Sequence, residues 1–177
     1  MKEPSVITER VILREFRLSD WKAVYEYASD QRVVKYVLWG PNTAAQTRAF
    51  IRLCRRKAKQ NPRTQWDWAI LERETNRLVG GCSLTVTSWR DREAMFGYCL
   101  RRDAWNKGYA TQAAKAMIHF GFRELKLRRI MSTCDVLNKA SARVMRKLGM
   151  RREAHFKRNV FQKGRWRDTY LYALLRN

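Results

Sequence analysis

The sequence predicts a mixed α/β domain, a mainly antiparallel central sheet of about seven strands with helices on both faces. Three observations carry this. Extended and helical hydrophobic periods alternate along the chain in the order β-α-α-β-β-β-α-β-α-β-β. Three consecutive strand-like segments between residues 65 and 101 are joined by short connections, which makes an antiparallel meander. A helical segment then separates two further strands, the pattern of a crossover that packs a helix on the sheet. With 177 residues, and neither repeats nor low-complexity tracts, the chain 1–177 reads as a single domain.

Residues 6–16 form the first expected strand, with Val11 and Leu13 alternating and Ile12 and Phe16 breaking the pattern. Ser19 and Asp20 start a helix in which Trp21, Val24, Tyr25 and Ala28 recur at helical spacing. Gly40-Pro41-Asn42 is a turn, and a second helix runs from about residue 43 to 59, basic at its end where cations suit the dipole. Asn61-Pro62 closes it, and strands are expected over 65–72, 77–87 and 93–101. The period turns helical over 108–125, through Ala110, Ala113, Ala114, Met117, Ile118 and Phe122. A short strand over 129–135 follows, then a helix over 138–148 with Gly149 just past its end. Two last strands flank Lys163-Gly164.

Thirty-eight Lys and Arg against 16 acidic residues give a net charge of +22, divided +7 in residues 1–100 and +15 in 101–177. Such a balance concerns partners rather than fold, and it points to polyanions: nucleic acid, an acidic protein or a phosphorylated cofactor. Four scattered cysteines without C-x-x-C spacing and only two histidines argue against a metal cluster and a Ser-His-Asp triad. The cysteines read as small buried hydrophobes in a reducing compartment. No apolar run is long enough for a bilayer and the N-terminus is charged, so the expectation is a cytoplasmic protein without a membrane partner.

The segment most informative for chemistry is Trp105-Asn106-Lys107-Gly108-Tyr109-Ala110-Thr111, between a strand and a long helix. A glycine there lets N–H groups converge at a helix N-terminus, where they and the dipole hold a pyrophosphate. It is neither G-x-x-x-x-G-K-S/T nor G-x-G-x-x-G, and on its own it is equally a tight turn packing a helix on a sheet.

AMFGYCLRRDAWNKGYATQAAKAMIHFGF, residues 94–122, resembles the cofactor motif of the GCN5-related N-acetyltransferases, a Gln/Arg-x-x-Gly-x-Gly/Ala element at a strand-to-helix junction. Trp105 stands where Gln or Arg is usual. Asn138-Lys139-Ala140-Ser141, then Lys147-Leu148-Gly149-Met150, is similar to a second segment of that superfamily. Glu153, Lys163-Gly164-Arg165-Trp166 and Asp168 to Leu175, with the opening ITERVILREFRLSDW, resemble its ribosomal-protein N-terminal acetyltransferases of the RimJ and RimL type.

The resemblance implies acetyl-CoA as co-substrate and an amine acceptor, with a protein N-terminus first in line and a small amine as the alternative. It implies that Cys99, Leu100 and Arg101 bind the pantetheine arm, that Lys107, Gly108, Tyr109, Ala110 and Thr111 receive the pyrophosphate, and that Arg101, Arg102 or Arg143 serves the phosphates. Asn138 both caps its helix and bonds the pantetheine. Ser141 takes the place of the hydroxyl that returns a proton to the departing thiolate. No base is evident, because Met95 and Val160 occupy positions where relatives carry Glu. Glu93, two residues before Met95 on the same strand face, is the candidate base, with Asp168, Glu153, Tyr170 and Tyr172 as further acid-base candidates, of which Glu153 and Tyr172 look more like structural members, the first pairing with a neighbouring Arg and the second packing in the sheet. The Trp39-Gly40-Pro41 loop is placed to line the acceptor cleft. A ribosome or RNA contact through the basic surface, a monomer or homodimer, and, less favoured, a non-catalytic nucleic-acid-binding module complete the expectations.

Overall fold

The computed structural model describes residues 5–176. One eight-stranded sheet has the order β1-β2-β3-β4-β5-β6-β8-β7. The strands are β1 Ser5–Ile7, β2 Val11–Glu15, β3 Gln65–Glu72, β4 Leu78–Ser88, β5 Glu93–Leu100, β6 Arg129–Asp135, β7 Arg151–Gln162 and β8 Arg165–Leu175. The helices are α1 Trp21–Ala28, α2 Ala44–Ala58, α3 Tyr109–Arg123 and α4 Lys139–Lys147. Every neighbouring pair is antiparallel except β5 and β6. The predicted class, the β3-β4-β5 meander and the placement of helices on both faces all hold.

The strand expected over 6–16 is instead a hairpin of β1 and β2, which raises the count from seven to eight. Thr8 makes the turn, its N–H and its hydroxyl both donating to the Val11 carbonyl at 2.9 Å. In α1 the buried face is Val24, Tyr27 and Ala28, and Tyr25 is exposed. A short 3-10 turn, Leu18–Asp20, precedes this helix, and the Asp20 carboxylate accepts the Arg17 N–H at 2.7 Å and pairs with Arg14 at 2.7 Å.

The other helix ends follow their local chemistry. Thr43 and Gln46 form a reciprocal cap on α2, and Asn138 caps α4 by accepting the Ser141 N–H at 3.1 Å. Gly149, at φ +79°, ends α4, with the Met150 N–H bonded back to the Met145 carbonyl. Lys163 and Gly164, both at positive φ, make the tight turn of the β7–β8 hairpin.

Two cores lie on the two faces of the sheet. One, including Trp68, Leu84, Phe96, Met117, Ile130 and Met145, is covered by α3 and α4. The other, including Phe16, Val24, Tyr27, Ile51, Ala69 and Leu71, is covered by α1 and α2. Gly121 lets α3 settle closely on β6, since a Cβ there would stand 2.7 Å from Ile130 Cδ1.

Candidate active site

The decisive local feature is where β5 and β6 part. Their parallel ladder joins Glu93 to Arg129, Ala94 to Ile130 and Met95 to Met131, and goes no further. β5 keeps β4 on its other edge as far as Leu100. The Arg101 N–H donates to the Val79 carbonyl at 2.9 Å, and strand alternation therefore turns the Tyr98 and Leu100 N–H groups the other way, toward the opening. By the same alternation the Cys99 N–H faces β4, so of the expected strand donors Leu100 is joined by Tyr98 rather than by Cys99.

A cavity of about 410 Å³ passes through this opening. On the α1/α2 face it is walled by Phe16, Tyr27, Tyr36, Trp39 and Phe50. On the α3/α4 face it is lined by Tyr98, Cys134, Asn138 and Ser141. Trp39 and Asn42 thus line the cleft as the Trp-Gly-Pro loop was expected to do. The wall is held from outside by the β7–β8 hairpin tip: the Gln162 amide donates to the Val37 carbonyl and the Lys163 ammonium to the Val34 carbonyl.

On the α4 side the Tyr98 and Ser141 hydroxyls stand 3.1 Å apart. Burial pushes the Tyr98 phenol up to about 12, so it stays protonated near neutrality. Ser141 faces the cavity from the first turn of α4, close to its cap Asn138.

The turn before α3 has the form of an anion site. Gly108 has φ +82°, and a Cβ placed on it would meet nothing within 4 Å, so the space above the turn is open. The first bond of the helix runs from the Gln112 N–H to the Gly108 carbonyl at 3.1 Å, leaving the N–H groups of Tyr109, Ala110 and Thr111 for a ligand. The turn is braced from beneath. Arg10 donates to the Lys107 carbonyl at 3.1 Å, and Thr8 and the Arg10 N–H both donate to the Gln112 side chain. The Tyr109 hydroxyl is bonded to Glu72, so Tyr109 offers a ligand only its backbone. Trp105 closes the loop by donating from its indole to the Leu100 carbonyl at 3.0 Å. Lys107, Arg102 and Arg143 are exposed and free to reach phosphates.

Three expectations are corrected. Glu93 sits where β5 and β6 are still paired, does not line the cavity, and faces Arg129 at 3.5 Å, so the structure places it outside the cleft expected of it. Arg101 is engaged by Glu26 of α1 and by Asp103, on the face away from the α3 turn. Asp168 holds His155 and the Arg158 N–H and does not line the cavity. Glu153 holds Arg129, the arginine pairing expected of it. Tyr172 is buried in the sheet, the packing role expected of it. All four cysteines are free, three buried and Cys99 half-buried.

Asp67 and Tyr98 also line the cavity, at positions that the sequence reading does not single out. Asp67 is buried, lines the cavity, and its two carboxylate oxygens accept from the Gln65 side-chain amide nitrogen at 2.9 and 3.0 Å. The available signal was a single carboxylate between two tryptophans in an otherwise apolar strand, QWDWAILE.

An Acetyltransferase (GNAT) domain model matches residues 10–151. The chain belongs to the GNAT acetyltransferase family. It is similar to the uncharacterized N-acetyltransferase YnaD of Bacillus subtilis, 36% identical over 170 residues and covering 96% of both chains. Among solved structures it is similar to a GNAT-family acetyltransferase from Bacillus anthracis, with 36% identity, TM-score 0.85, and 97% and 98% of the two chains covered. A ribosomal-protein-S5-alanine acetyltransferase from Vibrio fischeri shares the fold at 22% identity, TM-score 0.83, with 98% and 97% covered. As a GNAT enzyme the chain is an acetyl-CoA-dependent N-acetyltransferase, which sets aside the non-catalytic nucleic-acid-binding module.

Proposed function

We propose that this GNAT enzyme transfers the acetyl group directly from acetyl-CoA to the N-terminal amine of a protein, ribosomal proteins first, in a ternary complex. The cavity that crosses the sheet carries the proposal, because it lets an amine entering from the α1/α2 face meet a thioester lying along β5. The α3 turn binds the pyrophosphate through the amides of Tyr109, Ala110 and Thr111. The Tyr98 and Leu100 N–H groups on the open edge of β5 polarise the thioester carbonyl, and Ser141, bonded to Tyr98, returns a proton to the departing sulfur. No covalent enzyme intermediate is required.

A protein acceptor is supported by the resemblance of the tail segments to the RimJ and RimL type and by the name of the Vibrio fischeri neighbour. The +22 charge would steer the enzyme to an acidic protein or to RNA beside its substrate. The test is mass-spectrometric detection of acetylation on a panel of ribosomal-protein N-terminal peptides, set against spermidine and an aminoglycoside. Acetylated peptides with untouched small amines are expected; the reverse pattern replaces the protein acceptor with a small amine.

A further inference from the structure

Among the described residues that line the cavity, Asp67 is the one carboxylate, and no Lys, Arg or His joins it. In a chain of net charge +22 this is an island of opposite sign. Asp67 on β3 pairs in register with Ser83 on β4, and Ser83 pairs with Gly97 on β5. Directly opposed residues share a face, so the three form one row across the sheet, on the α1/α2 side. The row ends at the edge of the β5–β6 opening. Gly97 leaves it uncovered, and Ser83 Oγ lies 3.8 Å from where a Cβ on Gly97 would be. Around the row stand Phe16, Tyr27, Trp39 and Phe50, an apolar wall.

We infer that Asp67 accepts the proton of the acceptor ammonium through the Ser83 hydroxyl, and that the acceptor is a primary amine carried on an apolar arm. The ammonium gives a proton to Ser83 Oγ as the hydroxyl proton passes to the Asp67 carboxylate. The freed nitrogen lone pair forms the bond to the thioester carbon. The C–S bond breaks as the tetrahedral adduct collapses, the second nitrogen proton passes through the Ser141 and Tyr98 hydroxyls to the departing thiolate, and Asp67 releases its proton to solvent.

The surroundings of Asp67 suit a base. Burial raises its carboxyl above the ordinary range, while the Gln65 amide, Lys57 and Arg63 oppose that rise and Cys54 adds a weaker hydrogen bond. Lys57 acts at one remove, donating to Gln65 Oε1 at 2.6 Å while Gln65 Nε2 donates to Asp67. Glutamine thus holds the carboxylate without neutralising it.

The inference rests on acetyl transfer to an amine, not on a protein N-terminus being that amine, so a failed peptide screen leaves it standing. The test compares 2-phenylethylamine with 2,2-difluoro-2-phenylethylamine, of nearly the same shape, whose ammonium is acidic enough to be largely neutral in the assay. In the full enzyme Asp67→Asn is expected to lower kcat/KM for the first amine by about 100-fold, within the range for loss of proton transfer, and to leave the second nearly unchanged. Ser83→Ala, which removes one hydroxyl from a half-buried site, is expected to show the same selectivity with a smaller loss. Acetyl-CoA affinity is expected to be unaltered in both. Equal losses with both amines, or no loss with either, overturn the proton route. A wild-type enzyme that acetylates peptides but neither arylalkylamine overturns the apolar arm.

Discussion

The hydroxyls of Tyr98 and Ser141 lie 3.1 Å apart, one carried by β5 and the other by the first turn of α4, on the side of the sheet opposite α1 and α2. Sequence comparison with the family points to the serine alone, and its partner is supplied by the sheet. The buried phenol is a poor acid alone, and the serine is poorer still, so their pairing matters to any proton that reaches the sulfur. Ser141→Ala and Tyr98→Phe are each expected to reduce kcat by about 100-fold, the usual scale of a positioned acid, with acetyl-CoA affinity held within a few-fold. The double variant is expected to be little worse than either single one, because groups that act as a unit are not additive. Steady-state kinetics with calorimetric titration of acetyl-CoA checks this, and unchanged turnover removes the pair from the reaction.

Gly108 has a backbone conformation that a side chain adopts only at a cost, yet the space above it is empty. Gly108→Ala is therefore expected to cost about 1–2 kcal/mol from the left-handed backbone alone, with no clash in the free protein. Gly108→Trp fills the anion site as well, and acetyl-CoA binding is expected to be lost. Thermal unfolding measured with and without acetyl-CoA separates the effects: both variants melt lower, and only the tryptophan variant loses ligand stabilisation.

Glu93 and Glu153 share Arg129. With both acids partly exposed, replacing one leaves the guanidinium a partner, so Glu93→Gln is expected to change stability by less than about 1 kcal/mol. Turnover is expected to stay within about twofold of the wild type, since no proton-transfer role of the usual 100-fold size is removed. A large fall in kcat would return Glu93 to the active site and contradict its place at the closed end of the β5–β6 ladder.

Arg167 and Asp135 form a buried pair, Nε to Oδ2 at 2.7 Å, charge against charge rather than a straight N–H···O bond. The second Asp135 oxygen accepts the Leu137 N–H at 2.8 Å, in the connection from β6 to α4 that carries Asn138. Removing one partner strands the other, so Arg167→Ala is expected to destabilise by about 3–5 kcal/mol. Arg167→Ala together with Asp135→Asn is expected to recover part of that loss. Denaturant unfolding of the two variants makes the comparison.

Asp67 sets a pH dependence whose sign is definite. Its carboxyl is raised by burial, so the folded protein binds its proton more tightly than the unfolded chain. Stability from this group is whole below the ordinary carboxylate range and declines as pH rises through the raised value. Asp67→Asn is accordingly expected to gain on the wild type in melting temperature as pH rises across that window. Parallel melting curves from acidic to neutral pH check it. Buried aspartate therefore costs stability at the pH where it works as a base.

Much of this protein is legible locally. Gly108, Gly149 and Gly164 punctuate at positive φ, Asn138 caps α4, and the helical and extended periods give the element order, because caps, turns and periodicity are decided within a few residues. The anion turn before α3 belongs with these, since its chemistry is a helix N-terminus and one glycine. The break at Thr8 falls in three polar residues, Thr8, Glu9 and Arg10, between two apolar stretches too short for either to show its own period, and the bonds from Thr8 to Val11 and Gln112 hold the bend there. The opening between β5 and β6 is not local at all. β5 and β6 are joined for three residues and then part, which sends Glu93 to Arg129 and leaves the row from Asp67 to Gly97 facing the cavity. Strand order and register bring residues 67, 83 and 97 side by side, and no periodicity along the chain records which strands will be neighbours or where two of them will separate.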